Sequence, residues 1–254
     1  MSPRRPVLAG RTVLVTRPAD RATRLVAELD RRGARAIVAP SIELRPVRSA
    51  ALTRAISDLR DGSYAWIVLT SPATVRMLVE RLGSPRDVRA RVAAIGDGTA
   101  AAFRRYARRG ADLVPTNFTS AALARAFPRG EGRVLTARAD IAPEGLEEAL
   151  ATKGYEPTRV DAYRTIFPRS LPPEARVALG AGEVDAITFT SASTVRGFVN
   201  AMTVVKGNPK VVCIGPVTAR EARGHGLRVH AVADPHTTEG LIAAIVRVLG
   251  RQAP

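Results

Sequence analysis

The feature that most constrains the fold of this chain is an internal repeat of a strand, a Thr-Ser pair and a helix. One copy covers residues 65–79 and the other covers residues 185–199. Each copy begins with a short apolar run, continues with Thr-Ser, and then has apolar residues three and four positions apart, which is the spacing of one buried helix face. Two copies 120 residues apart predict two similar halves.

Other blocks recur in the same order. The strand-like segment 13–16 returns as 133–136, segment 92–100 returns as 211–219, and segment 116–127 returns as 234–249. Short strand patterns alternate with helix patterns throughout, which predicts an α/β fold of two similar domains, each a parallel sheet flanked by helices. Ligands bind such sheets beyond the carboxyl ends of the strands. Two facing edges of this kind would form a cleft lined by hydroxyls, free N–H groups and a few arginines.

The two Thr-Ser pairs have two interpretations that the residues leave open. The first N–H groups of a helix lack partners, and the helix dipole makes that end attractive to anions. Ser71 and Ser191 are therefore suited to binding an anionic ligand. Serine is also favoured at helix N-caps everywhere, and a duplicated fold would duplicate its caps.

The composition restricts the class of partner. The formal net charge is +16 and the pI is near 11.4, so an acidic partner would be attracted. The basic residues are mostly arginines spread over the whole chain, and aromatic residues make up only 4%, which disfavours nucleic acid. A small polyanion or a solvated arginine surface remains. Since no apolar run approaches the roughly 20 residues of a membrane helix, and no targeting segment is evident, we expect a cytoplasmic protein that does not bind membranes.

The residues that could hold a metal or a cofactor are few. The sequence has no dinucleotide fingerprint, P-loop, metal-spaced histidine pair or Gly-x-Ser-x-Gly elbow, so we expect neither a metal nor a cofactor. His225, His230 and His236 lie in one late region and are interpreted as surface residues. Cys213 lies in the apolar run 211–214 and is predicted to be a core residue.

A set of short motifs carries a resemblance to a known family. They are Val-Leu-Val-Thr-Arg-Pro (13–18), Leu-Thr-Ser-Pro-x-x-Val (69–75), Ile-Gly-x-x-Thr-Ala (95–100), Val-Asp-Ala-Tyr-Arg-Thr (160–165), Phe-Thr-Ser-Ala-Ser (189–193) and Ile-Gly-Pro-Val-Thr-Ala (214–219). Their order and spacing, from about residue 12 to 249, resemble the uroporphyrinogen-III synthase family. One departure is Gly96-Asp97-Gly98-Thr99, where the pattern elsewhere is Gly-Pro-x-Thr.

The resemblance implies a domain division that the repeat alone does not suggest. Residues 1–41 with 167–254 would form one discontinuous α/β domain, and residues 46–163 would form the other. Segments 42–45 and 164–166 would be the two extended segments of the hinge that joins them. Tyr163 would then project at the hinge into the cleft.

The resemblance also implies a reaction. The family closes hydroxymethylbilane into uroporphyrinogen III, with loss of water and inversion of the last pyrrole ring, for haem, sirohaem and cobalamin synthesis, without metal or cofactor. Tyr163 is the candidate that assists loss of the hydroxyl, because a phenol with a reference pKa near 10 can donate a hydrogen bond at neutral pH. The alternative for this residue is a cleft tyrosine that only packs.

Candidate contacts to the acidic arms of the substrate follow from two arguments. Motif positions carry over for Ser71, Thr99, Ser191 and Thr218, while strand-end position and charge suggest Thr16, Arg17 and Arg138. We expect a monomer that has transient contact with the enzyme that makes hydroxymethylbilane. The alternative function is a two-lobed small-molecule binding or regulatory protein without catalysis.

Overall fold

The computed structural model describes residues 6–84, 88–201 and 204–250. The chain divides into two compact units, which we call the terminal unit (Met1–Glu43 with Ile166–Pro254) and the middle unit (Leu44–Thr165). The chain therefore passes from one unit to the other twice.

The secondary structure alternates strands and helices along the chain. The strands are β1 (Thr12–Val15), β2 (Arg35–Val38), β3 (Glu43–Pro46), β4 (Trp66–Leu69), β5 (Arg91–Ala94), β6 (Arg133–Ala139), β7 (Glu156–Ile166), β8 (Ala186–Phe189), β9 (Lys210–Cys213) and β10 (Val229–Val232). The helices are α1 (Ala19–Asp30), α2 (Ala50–Arg60), α3 (Pro72–Leu82), α4 (Asp97–Ala107), α5 (Ser120–Ala126), α6 (Leu146–Ala151), α7 (Pro173–Ala181), α8 (Ala192–Ala201), α9 (Pro216–Gly224) and α10 (Thr238–Leu249).

Each unit contains one five-stranded sheet. The terminal sheet has the order β10-β9-β8-β1-β2 with parallel pairs throughout. The middle sheet has the order β3-β7-β6-β4-β5, in which β7, β6, β4 and β5 pair in parallel. The predicted α/β class with two similar parallel sheets is confirmed. The units differ at both edges. Where β10 lies beside β9 in the terminal sheet, the middle sheet has only a single bridge between Ala93 and Leu113 beside β5 among the described residues. At the other edge β3 lies beside β7, whereas β2 is the edge strand of the terminal sheet.

The central strands are apolar because both of their faces are covered. All four residues are buried in β1, in β4 and in β8, as expected for parallel strands with helices on both sides. Successive side chains point to opposite faces, so Leu14 packs in one core cluster of the terminal unit and Val13 and Val15 pack in the other. Cys213 lies fully buried in the first of these clusters, as predicted, and burial raises the pKa of its thiol to about 12.

The segment that leaves the terminal unit is held tightly within that unit. Ser41 donates its N–H to the Thr16 carbonyl at 3.0 Å, and its hydroxyl donates to the Thr194 carbonyl on α8 at 2.7 Å. A Cβ on Gly197 would lie 1.8 Å from the Ser41 carbonyl oxygen. Only glycine therefore lets this segment cross α8.

Within the described ranges, no helix is both long and apolar enough to cross a bilayer.

Candidate functional site

The carboxyl edge of the middle sheet carries the first Thr-Ser pair. β4 ends at Leu69, and Ser71 is the N-cap of α3, where its side-chain oxygen accepts a hydrogen bond from the Thr74 N–H at 3.1 Å. Pro72 takes the first helical position, where the missing N–H costs nothing. The capping interpretation of Ser71 is correct, and it leaves the serine hydroxyl available for further contacts.

Ser71 also contacts Tyr163, which comes from a distant part of the chain. The Ser71 Oγ and the Tyr163 phenol oxygen are 3.0 Å apart, although 92 residues separate them in sequence. The Tyr163 side chain belongs to a core cluster and only 7% of the residue is exposed. The sequence predicted both residues as site residues but contained no signal for their contact.

A β-bulge determines where the Tyr163 ring points. The pairing of β6 with β7 matches Arg138 to Asp161 and then Ala139 to Tyr163, so one extra residue, Ala162, is inserted in β7. An inserted residue shifts the alternation of side chains between the two faces of a strand. Ala162 and Tyr163 consequently pack in the same core cluster.

Asp140 holds the bulged strand in place, and sequence analysis did not single it out. Its N–H donates to the Tyr163 carbonyl at 3.1 Å, and its carboxylate accepts from the Thr165 N–H at 3.0 Å. It also accepts from the N–H of the residue that follows it at 2.9 Å. The sequence shows only that Asp140 follows β6. Many surface carboxylates also follow strands, so this position does not predict a structural role.

The next helix of the middle unit, α4, is capped by glycine. Gly96 precedes α4 in extended conformation, and Thr99 at the third helical position is 3% exposed. A Cβ on Gly96 would lie 2.6 Å from the Phe118 ring. Because glycine has no side chain, no cap hydroxyl engages the first N–H groups of α4. Asp97, which departs from the motif, places a carboxylate in the first turn. The carboxylate interacts favourably with the helix dipole and repels a second anion at this end of the helix.

The terminal unit repeats the Thr-Ser junction with a more closed set of hydrogen bonds. Ser191 Oγ accepts from the Thr194 N–H at 3.2 Å and lies 2.9 Å from Ser193 Oγ. Thr194 Oγ1 donates to the Ser191 carbonyl at 2.7 Å and accepts from the Ser191 N–H at 3.2 Å. The cap and the third helical residue thus satisfy each other, as in a capping box.

The neighbouring helix of the terminal unit is again capped by glycine. Gly215 precedes α9, and Thr218 at its third position is 4% exposed. His236 is exposed, as predicted, and its ring lies 3.5 Å from the place that a Cβ on Gly215 would take. Its Nδ1 donates to the Ala233 carbonyl at 2.7 Å, so Nε2 of the neutral ring is a hydrogen-bond acceptor. Nothing local in the sequence distinguishes His236 from the other two histidines.

Two further candidates follow β1. Thr16 is fully buried, and its hydroxyl donates to the Thr188 carbonyl at 2.6 Å, so this hydroxyl joins β1 to β8. Its only proton is used there, and its role as a substrate contact is withdrawn. Arg17 is half-buried and donates to the Arg21 carbonyl at 3.2 Å. Burial, with the nearby charge of Arg21, lowers the pKa of Arg17, but a guanidinium remains charged at neutral pH. A partly desolvated arginine at a strand end suits an anion.

The strand-end position predicted for Arg138 is wrong. β6 continues to Ala139, so Arg138 lies inside the strand and is fully buried. Its Nη1 contacts both carboxylate oxygens of Glu147, at 2.9 and 2.7 Å. Burial acts to raise the pKa of Glu147, but hydrogen bonds from Thr136 and Arg138 outweigh it and lower that pKa. Arg138 therefore stabilises the middle unit from within, and its role as a substrate contact is withdrawn.

The other histidines have structural contacts. His225, the C-cap residue of α9, lies 3.3 Å from Glu221 in that helix. His230 is half-buried rather than at the surface, and its Nδ1 accepts a hydrogen bond from the Val211 N–H at 3.0 Å. Among the residues that the structure describes, no three of the His, Cys, Asp or Glu side chains are grouped as metal ligands would be.

Comparisons with known proteins agree on one family. The family model described as uroporphyrinogen-III synthase HemD matches residues 23–243. A uroporphyrinogen-III synthase from Synechococcus elongatus is 30% identical, over 94% of this chain and 95% of that protein. A putative uroporphyrinogen-III synthase from Methanothermobacter thermautotrophicus is 31% identical, over 93% of this chain and 98% of that protein.

Solved structures share the fold. A mutant uroporphyrinogen III synthase from Thermus thermophilus superposes with a TM-score of 0.67 at 23% identity, covering 95% of this chain and 100% of that one. A uroporphyrinogen-III synthetase from Helicobacter pylori gives a TM-score of 0.61 at 16% identity, covering 93% and 99%. By the extent of the family match and of the sequence relatives, this chain belongs to the uroporphyrinogen-III synthase family.

Proposed function

We propose that this chain closes hydroxymethylbilane into uroporphyrinogen III, with loss of water and inversion of the last pyrrole ring, in tetrapyrrole biosynthesis. Family membership over residues 23–243 supports this function. The observation that carries the mechanism is the 3.0 Å contact between the Tyr163 phenol and Ser71 at the start of α3.

The reaction needs a proton at one oxygen atom. The electron-rich pyrrole expels the hydroxyl of the substrate, and the carbon–oxygen bond breaks with its electron pair going to oxygen. Tyr163 gives its phenol proton to that oxygen, so the leaving group is water. The ring carbon that closes the macrocycle loses a proton in return, and the phenol is restored. A general acid must carry its proton before the step, and the reference pKa of a phenol, near 10, is high enough for this at neutral pH.

Substrate binding requires groups that hold carboxylate arms. Helix N-termini, hydroxyls and arginine forks all suit such anions. We propose that the carboxyl edge of each unit binds acetate and propionate arms. The groups proposed are the backbone N–H groups at the start of α3, beside Ser71, and Thr99 in the middle unit, with Arg17, Ser191 and Thr218 in the terminal unit. In α9 the glycine cap leaves the first N–H groups unobstructed by a cap side chain, and no acidic residue lies in the first turn. In α4 the N–H groups are equally open, but the Asp97 carboxylate weakens their attraction for an anion.

The remaining expectations also belong to this proposal. The protein acts as a cytoplasmic monomer with transient contact to the enzyme that supplies hydroxymethylbilane. Segments 42–45 and 164–166, near the two places where the chain passes between units, form its hinge. Residues 1–41 with 167–254, and residues 46–163, are the two domains that this hinge joins.

The test is a coupled assay in which hydroxymethylbilane is generated in place and the products are oxidised and separated as type I and type III isomers. We expect mostly type III from the wild-type chain. Mostly type I, the uncatalysed product, from a folded protein would favour a small-molecule binding or regulatory protein instead.

The same assay tests Tyr163. Replacing it with phenylalanine (Tyr163→Phe) should lower kcat by about 10²- to 10⁴-fold, the range for a lost general acid, while unfolding free energy changes by no more than about 1.5 kcal/mol. Tyr155→Phe is the matched control, because Tyr155 is also 7% exposed but packs in the other core cluster of the middle unit. Turnover of Tyr163→Phe near that of the control would remove the phenol from the mechanism.

A further inference from the structure

The hydroxyl of Ser71 lies at the centre of a short chain of hydrogen bonds. Its oxygen is 3.1 Å from the Thr74 nitrogen, 3.1 Å from the Thr74 hydroxyl oxygen and 3.0 Å from the Tyr163 phenol oxygen. A hydroxyl has one proton and two lone pairs. The Thr74 N–H takes one lone pair, so one proton and one lone pair remain for the two hydroxyl partners. The two hydroxyl bonds must therefore point in the same direction along the chain.

The burial of Thr74 selects that direction. Thr74 is fully buried, and within the described part of the chain its hydroxyl has Ser71 as its hydrogen-bond partner. If Thr74 accepted from Ser71, its own proton would be buried without an acceptor, which is the costly arrangement. If Thr74 donates, only lone pairs stay unmatched, which proteins tolerate better. The chain therefore runs from Thr74 to Ser71 to Tyr163.

We propose that Thr74 is a positioning residue for the reaction, acting through Ser71 on Tyr163. Because Thr74 donates to Ser71, Ser71 donates to the phenol oxygen, and the phenol proton points away from Ser71 towards the departing hydroxyl. When that proton moves to the hydroxyl oxygen and water leaves, the Ser71 proton remains directed at the new phenolate and stabilises it. This inference rests on the proposed role of Tyr163.

The second junction provides an internal comparison. Thr194 occupies the position that corresponds to Thr74, 120 residues further on, and its hydroxyl donates to the Ser191 backbone carbonyl at 2.7 Å. The same residue type thus closes a cap in the terminal unit, whereas in the middle unit its hydroxyl extends the chain to Tyr163.

The experiment compares Thr74→Val, which removes the hydroxyl at nearly constant volume, with Thr74→Ser, which keeps it. Thr74→Val should lower kcat about tenfold, as expected for one lost hydrogen bond in the transition state, with KM within about twofold of the wild type. Thr74→Ser should restore kcat to within about threefold. Thr194→Val is the matched control and should lower the melting temperature without this loss of kcat.

Combining variants separates this inference from the proposed function. In the Tyr163→Phe background, Thr74→Val should cause no further loss of kcat, since the phenol it acts on is gone. Three results would each overturn the role of Thr74. They are a wild-type kcat for Thr74→Val, a failure of Thr74→Ser to restore kcat, and a tenfold loss of kcat when Thr74→Val is added to Tyr163→Phe. Wild-type turnover of Tyr163→Phe alone would overturn the proposed role of Tyr163 instead. If Thr74→Val does not fold, Thr74→Cys carries the same expectation, because a thiol is a weak donor.

Discussion

In the middle unit the serine that caps α3 contacts the phenol of Tyr163, whereas in the terminal unit the serine that caps α8 contacts Ser193 on its own helix. The residue that corresponds to Ser193 in the middle unit is Ala73, which has no hydroxyl. The same local structure therefore directs one serine towards a distant strand and the other back to its own helix. The difference shows that the duplicated junction is not duplicated in its hydrogen bonds.

A second difference lies one turn further along the same helices. Met77 in α3 is 4% exposed and fills the core of the middle unit, while its counterpart in α8 is Gly197. Gly197 leaves room for the Ser41 carbonyl, which passes over α8 as the chain leaves the terminal unit. One helix uses this position for side-chain packing and the other uses it for close backbone approach.

The largest effect that we expect concerns the strands rather than the helices. Arg138 in β6 is paired with Glu147, and the corresponding residue after β1 is Pro18, so only the middle unit has this ion pair. Arg138→Met should lower the free energy of unfolding by about 3 kcal/mol or more, because it leaves a partly buried carboxylate without its cation. The measurement is denaturant unfolding at neutral pH.

The control for this prediction removes both charges. Arg138→Met with Glu147→Leu should recover most of the lost stability, since apolar replacement of a buried pair is often close to neutral. In the wild type the pKa of Glu147 is lowered, so the pair stabilises the fold above the ordinary glutamate pKa, and this contribution is lost as the pH falls through the lowered value. Equal acid sensitivity of Arg138→Met and wild type would contradict this account.

The next effect tests the close approach at α8. Gly197→Ala should lower the free energy of unfolding by about 1–3 kcal/mol, as overpacking does, because its Cβ would overlap the Ser41 carbonyl. Gly180→Ala in α7 is the matched control, since a Cβ there meets nothing within 4 Å, and it should raise stability by about 0.5–1 kcal/mol. Thermal unfolding of the two variants measures the contrast, and equal melting temperatures would mean that α8 shifts to accept the methyl group.

The smallest effect separates the two serines. Ser71→Ala and Ser191→Ala should each lower stability by about 1 kcal/mol, because each removes an N-cap. Only Ser71→Ala should also lower kcat, by about tenfold, since it removes a donor to Tyr163. Ser191→Ala should raise KM with little change in kcat. Steady-state kinetics in the isomer assay measures both, and equal losses of kcat would abolish the functional distinction between the junctions.

Much of the fold could be predicted because its signals are local. The apolar runs of the central strands, the Thr-Ser caps and the glycines that end helices each act within a few residues. The length of β6 could not be predicted, because Arg138 is a charged residue in a buried strand and only Glu147 compensates for its charge. A carboxylate nine positions away, in the next helix, has no local pattern that pairs it with an arginine.

By itself the sequence determined the α/β class, the two similar sheets, the position of Ser71 and Ser191 at helix starts, and the family. Only the tertiary structure decided that Tyr163 meets Ser71. That contact depends on the strand order, which places β6 between β4 and β7, and on the bulge at Ala162, which turns the Tyr163 ring to the face of the sheet that packs with α3. Strand order and strand register arise from packing between segments far apart in the chain. The periodicity within one segment therefore predicts neither of them.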